Sequence, residues 1–187
     1  MNQPAQRLAC YQDLFDLPEH IIGEIIHGQL ITQPRPASKH ARTSSILSGE
    51  LTTAYDLGRN GPGGWWILFE PELHLAKHVL VPDLAGWRRE RMPKFPDSAY
   101  FDSAPDWICE ILSPGTARID RAVKMPIYAE QAVSWLWLID PSLHTLEVYQ
   151  RQNQHWLLEH TWQNDDVINA PPFADISLQL ADLWLPV

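Results

Sequence analysis

The chain has 187 residues, 45% of them hydrophobic, which is enough for one sizeable core and one domain. A formal net charge of −9 excludes a generally basic surface that would bind nucleic acid by charge alone. Two cysteines, Cys10 and Cys109, show no CxxC or Cys/His ligand spacing, which argues against zinc. The start is not signal-like and no apolar run reaches about 18 residues, so we expect a soluble, cytoplasmic protein with reduced thiols and no membrane partner.

Residues 1–18 read as an irregular arm of a single domain, 1–187. Within residues 11–27 the spacing of Ile21, Ile22, Ile25 and Ile26 predicts a short helix, broken at Pro18 and resumed at Glu19, with Glu24 off its apolar face. His27-Gly28 ends that helix, GQLIT begins a short strand, and Pro34 and Pro36 mark a turn. Residues 38–56 predict a second helix with Ile46, Leu47, Leu51, Ala54 and Tyr55 on one side. The glycine-rich loop from Gly58 to Gly64 lacks the Lys-Ser/Thr of a phosphate loop and reads as a turn.

WWILFEPELHL and HVLVPDLAGW predict two neighbouring strands parted by a polar turn at residues 76–78. DWICEIL is a third strand. SPGTARIDRAVKMPIYAEQ predicts a helix with Ser113 as N-cap, Pro114 in the first position and a kink at Pro126. VSWLWLID is a fourth strand, LHTLEVYQ and HWLLEHTW form a meander, and ISLQLADLWLPV closes the body. The order predicts an α/β fold around a mixed sheet. Nine Trp suit either the core or a partner surface, the core being favoured.

Glu110 stands inside the apolar run 107–112, where a charge is costly unless paired or bound to a metal. Asp83 ends a strand 27 residues earlier, so adjacent strands can bring the two acids together. Paired carboxylates repel unless a cation neutralises them, and Mg²⁺, or Mn²⁺ in its place, takes such oxygen ligands. Lys124 is the other candidate for that cation. Asp120 lies four residues before it, an arrangement that as an exposed ion pair would be worth only about 0.3–0.5 kcal/mol. His40, His74 and His78 read as surface or edge residues. Tyr128 reads as a packing residue whose hydroxyl can orient the site.

Seven of the 14 Lys and Arg, namely Arg88, Arg89, Arg91, Lys94, Arg118, Arg121 and Lys124, fall between Asp83 and Lys124. Residues 152–187 contain none. Such a run is either a solvated face or a positive rim in an acidic protein.

EIIHGQL, VPDLAGW, PDWICEILSPGT with ID and K following, KMPIYA and SWLWLIDP, taken in order, resemble the Uma-type restriction endonucleases, a branch of the PD-(D/E)XK phosphodiesterase superfamily. The likeness covers most of residues 20–150. It implies a restriction-endonuclease-like fold, with a four-stranded mixed sheet flanked by helices, and here a C-terminal β meander. Asp83 matches the first motif acid, Glu110 the second, and Glu24 the helix acid near the metal. The Lys expected two residues after the second acid is replaced by Leu112, whose backbone carbonyl could serve the metal. Lys124 on the following helix stands for the missing Lys. The resemblance implies Mg²⁺-dependent hydrolysis of DNA phosphodiesters by Asp83, Glu110 and Lys124, supported by Glu24, Asp120 and Tyr128, with Arg88, Arg89, Arg118 and Arg121 contacting DNA. The rival reading is a binding or assembly protein on a nuclease fold without turnover, a homodimer being one assembly open to it.

Overall fold

A computed structural model describes residues 7–34 and 37–185. One helical turn, α1 (Gln12–Phe15), lies in the N-terminal arm and is followed by the hairpin β1 (Ile21–Ile26) and β2 (Gln29–Pro34). The helix expected over Glu19 to His27 is therefore a strand. The isoleucine pairs at 21–22 and 25–26 fit either period, but β-branched side chains favour a pleated strand. His27 (φ 51°) and Gly28 (φ 73°) then form a tight two-residue turn, with Ile26 opposite Gln29.

Helix α2 (Ser38–Leu51) continues through a wide π-type turn at Thr52–Asp56, matching the helix read over residues 38–56. Each of the next two apolar runs divides in two: β3 (Trp65–Phe69) and β4 (Leu73–Leu75), then β5 (His78–Leu80) and β6 (Leu84–Arg88). The breaks let each run serve two sheets. β4 and β5 join the first hairpin in a four-stranded sheet of order β2-β1-β5-β4. β3 and β6 join β7 (Trp107–Ile111), β8 (Trp135–Asp140), β9 (Thr145–Gln152) and β10 (His155–Gln163) in a six-stranded sheet of order β10-β9-β8-β7-β6-β3. This central sheet is mixed, as expected, but larger than the four strands implied by family likeness.

Its one parallel pair, β7 with β8, needs a crossover, and helices α3 (Ala117–Ile119) and α4 (Met125–Glu130) supply it. Regular helix begins at Ala117 with Thr116 at its N-cap, three residues later than expected, so Ser113 and Pro114 belong to the preceding turn instead of the cap and first helical position. The Ser113 Oγ accepts from Thr116 N–H at 3.3 Å and its carbonyl accepts from Ala117 N–H at 2.9 Å. Between α3 and α4 a π-type turn, Asp120–Lys124, sends Met125 N–H back to the Asp120 carbonyl just before Pro126, which has no N–H to give.

Two apolar layers result. On one face of the central sheet Phe173 sits among Tyr55, Trp65, Trp107 and Trp137, at ring-centroid distances of 4.6 to 5.6 Å. On the other, Trp87, Ile108, Leu112, Tyr128 and Leu136 pack with Ile26, Leu73 and Leu80 of the smaller sheet. Trp65, Trp87, Trp107, Trp137 and Trp184 are thus core, as favoured from sequence. Both cysteines are free, and among the described residues no helix is long and apolar enough to cross a membrane.

Candidate active site

β6 and β7 run antiparallel with Leu84 opposite Cys109 and Gly86 opposite Trp107, and this register continued by one residue sets Asp83 opposite Glu110. Asp83 stands just before β6, beside the end of β7 that carries Glu110, so acids 27 residues apart come to one cavity. Both line this cavity, of about 410 Å³, together with His40, Glu70, Asp120 and Lys124.

Glu110 shares its face of β7 with Ile108 and Leu112, under the crossover helix. From that helix Lys124 reaches back, its Nζ 2.8 Å from Glu110 Oε1, 3.0 Å from Glu24 Oε1 and 3.6 Å from Asp120 Oδ1. One turn on, Tyr128 donates its hydroxyl to Glu110 Oε1 at 2.5 Å. Glu24, on β1 rather than on a helix, also accepts from Val81 N–H at 2.8 Å and from the Gln33 amide at 3.3 Å. Glu24, Glu110, Asp120 and Lys124 are each no more than 3% exposed.

Three carboxylates, Glu24, Glu110 and Asp120, thus surround one ammonium, and Asp83 adds a fourth acid beside Glu110. Burial pushes the Glu110 carboxyl well above its usual range, Lys124 pulls against that, and the neighbouring acids push it further up. Asp120 is raised in the same way. Burial disfavours the charged form of Lys124, but Glu110 and Glu24 outweigh it and hold the ammonium well above its ordinary value.

Asp83 is placed differently. Its Oδ2 accepts Ile111 N–H at 2.7 Å, capping the end of the β6–β7 ladder, and its Oδ1 lies 2.9 Å from His40 Nε2. Glu70, in the left-handed region at φ 45°, donates its backbone N–H to the Asp83 carbonyl at 3.0 Å. Neither His40 nor Glu70 was singled out as a site residue from sequence. His40 carried a signal, because it falls four residues before buried Ser44 and seven before buried Leu47 on the inward stripe of α2.

Not every expected residue meets at the cavity. Leu112 is buried in the apolar layer, donates its N–H to the Ile139 carbonyl, and does not line the cavity, whereas its neighbours Ile111 and Ser113 do. None of the four arginines expected to contact DNA lines it either. Arg88 ends β6, about 16 Å along the strand from Asp83. Arg88 lies over Trp65, and Arg89 pairs with Asp56 at 2.6 Å. Arg121 forms a two-pronged pair with Glu147 at 2.7 and 2.9 Å. Arg118 is exposed beside Ile119 and Asp120, which do line the cavity.

The donor set can be tested against the metal implied by the family likeness. Among the described residues no three His, Cys, Asp or Glu are gathered to hold an ion by side chains alone. Two carboxylates on one cavity wall, with surplus buried negative charge, suit instead a hard cation that keeps water and takes further oxygens from a phosphate, which is the habit of Mg²⁺.

Comparison with known proteins gives a consistent picture. The profile of one family, Uma2, described as "Putative restriction endonuclease", matches residues 11–181. A crystal structure of a putative nuclease belonging to DUF820 from Anabaena variabilis aligns with a TM-score of 0.74 and 26% identity, covering 92% of this chain and 95% of that one. No curated protein matches the chain.

Proposed function

This chain belongs to the Uma2 family of putative restriction endonucleases, and we propose that it hydrolyses phosphodiester bonds in DNA with the help of Mg²⁺ or Mn²⁺. The observation that carries the reading is the buried Lys124 held between Glu24 and Glu110, at a cavity that Glu110 shares with Asp83. A solvated surface cluster would have no reason to bury one ammonium among several acids. The relative from Anabaena variabilis, also named a putative nuclease, supports the same class of activity.

Asp83 and Glu110 are the residues that would hold the metal. When bound, the metal supplies an activated water and offsets charge on the phosphate oxygens. Glu24 and Tyr128 fix Lys124 and Glu110 respectively, so that an ammonium and a carboxylate face the cavity in set positions. Lys124 offsets negative charge developing on the attacked phosphate, in a site where little water screens it. Arg118 stands at the edge of this wall and is the arginine best placed to meet a neighbouring phosphate.

The test is incubation of the protein with supercoiled, linear and single-stranded DNA in Mg²⁺ or Mn²⁺, beside Asp83→Ala and Glu110→Gln. Cleavage by the wild type alone, abolished by chelation, supports the assignment. A binding or assembly role without turnover is favoured by one feature, the edge strand β10, which exposes Leu157 and Leu158. It predicts no cleavage by any form, and self-association that Leu158→Lys removes.

A further inference from the structure

We propose that His40 is a positioning residue: it holds the Asp83 carboxylate in the orientation that receives a divalent cation, and so sets the affinity of the site for that ion. The inference rests on the metal-assisted reading above. It starts from how Asp83 is gripped. One oxygen takes the Ile111 N–H from β7 at 2.7 Å, and the other faces His40 Nε2 at 2.9 Å from the first turn of α2. A strand and a helix thus fix the two ends of one carboxylate. Asp83 sits between β5 and β6, outside either strand, so its backbone alone does not aim the side chain.

The imidazole has no other polar role. Its side chain is 13% exposed, it lines the cavity, and its Nδ1 is buried with no hydrogen-bond partner among the described residues. A buried N–H on Nδ1 would be left without an acceptor, whereas an N–H on Nε2 meets Asp83. The pairing therefore assigns the ring proton to Nε2. Outer residues that orient metal-binding groups commonly govern metal affinity about 10- to 100-fold.

Glutamine and asparagine separate this role from simple packing. The side-chain nitrogen of Gln can stand where Nε2 stands, and that of Asn where Nδ1 stands. Calorimetric titration of Mn²⁺ into the full chain, with melting curves as a check on folding, compares wild type with His40→Gln, His40→Asn and His40→Ala. Asn and Ala should weaken Mn²⁺ binding about 10- to 100-fold, while Gln stays within about threefold of wild type. If Ala does not fold, the Gln and Asn pair still decides the question. Wild-type affinity in all variants overturns the role of His40 while leaving the metal reading intact. Equal loss in Gln and Asn overturns the assignment of Nε2 as the donor. A wild type that takes up no Mn²⁺ overturns the metal reading itself, and this inference with it.

Discussion

Lys124 is the residue on which the buried charges depend. With Nζ within 3.0 Å of both Glu110 and Glu24, its removal leaves acids buried without a cation. Lys124→Met should therefore cost about 3–5 kcal/mol, read from the urea midpoint. Glu110→Gln should cost far less, about 1 kcal/mol or under, because the amide oxygen still accepts from Lys124 and Tyr128 and one charge leaves an acid-rich cluster. Asp83 combines two duties. Asp83→Ala strands the Ile111 N–H and should destabilise by about 1–3 kcal/mol, and Asp83→Asn should restore most of that while remaining inactive. The pair Asp83 and Glu110 was legible in the sequence, since an acid inside an apolar strand demands compensation. Lys124 gained weight only beside Asp83 and Glu110, because an Asp-Lys pair on a helix is common. His40, taken alone, reads as a surface or edge residue; its inward placement follows only from the stripe of α2 that carries Leu47 and Leu51.

At the level of elements, β1 is where periodicity misled. Two pairs of isoleucines spaced by four satisfy a helix, yet the hairpin turn behind them decides for a strand. At Gly28 the backbone has φ 73°, and an added Cβ would also come within 2.8 Å of a Leu8 methyl. Gly28→Ala should destabilise by about 1 kcal/mol, measured by equilibrium unfolding, through strain in the turn that presents Glu24 to Lys124. The crossover helix was legible in outline, but its start was not, since the helix is capped at Thr116 and Ser113 closes the turn before it. Nor was its π-type turn at Asp120–Lys124, because the sequence shows Pro126 but not how the helix absorbs it. The splitting of each apolar run between two sheets was equally hidden, since it depends on long-range pairing such as Ile25 with Val79.

For the whole molecule, a net charge of −9 and an acid-lined cavity oppose DNA unless cations intervene. Binding measured in Ca²⁺ should fall steeply with added salt. Arg118→Ala should weaken it alike across DNA sequences, while Arg88→Ala, at the far end of β6, should leave it near wild type. The mixed sheet and its helices could be read from the order of elements. The distribution of the arginines could not, because charge runs do not show that Arg89 and Arg121 are already paired with Asp56 and Glu147.

The proposed function stands on a divalent-cation site formed by Asp83 and Glu110. Thermal unfolding of wild type and Glu110→Gln, each with and without Mg²⁺, tests it most directly, since a ligand bound only to the folded state stabilises it by about 2.7 kcal/mol at a concentration 100 times its Kd. A cation held by both acids gives a clear Mg²⁺-induced rise in the wild-type melting temperature and little or none in Glu110→Gln, although the metal-free variant melts close to the wild type. Equal rises in both proteins, or no rise in the wild type at millimolar Mg²⁺, would contradict it.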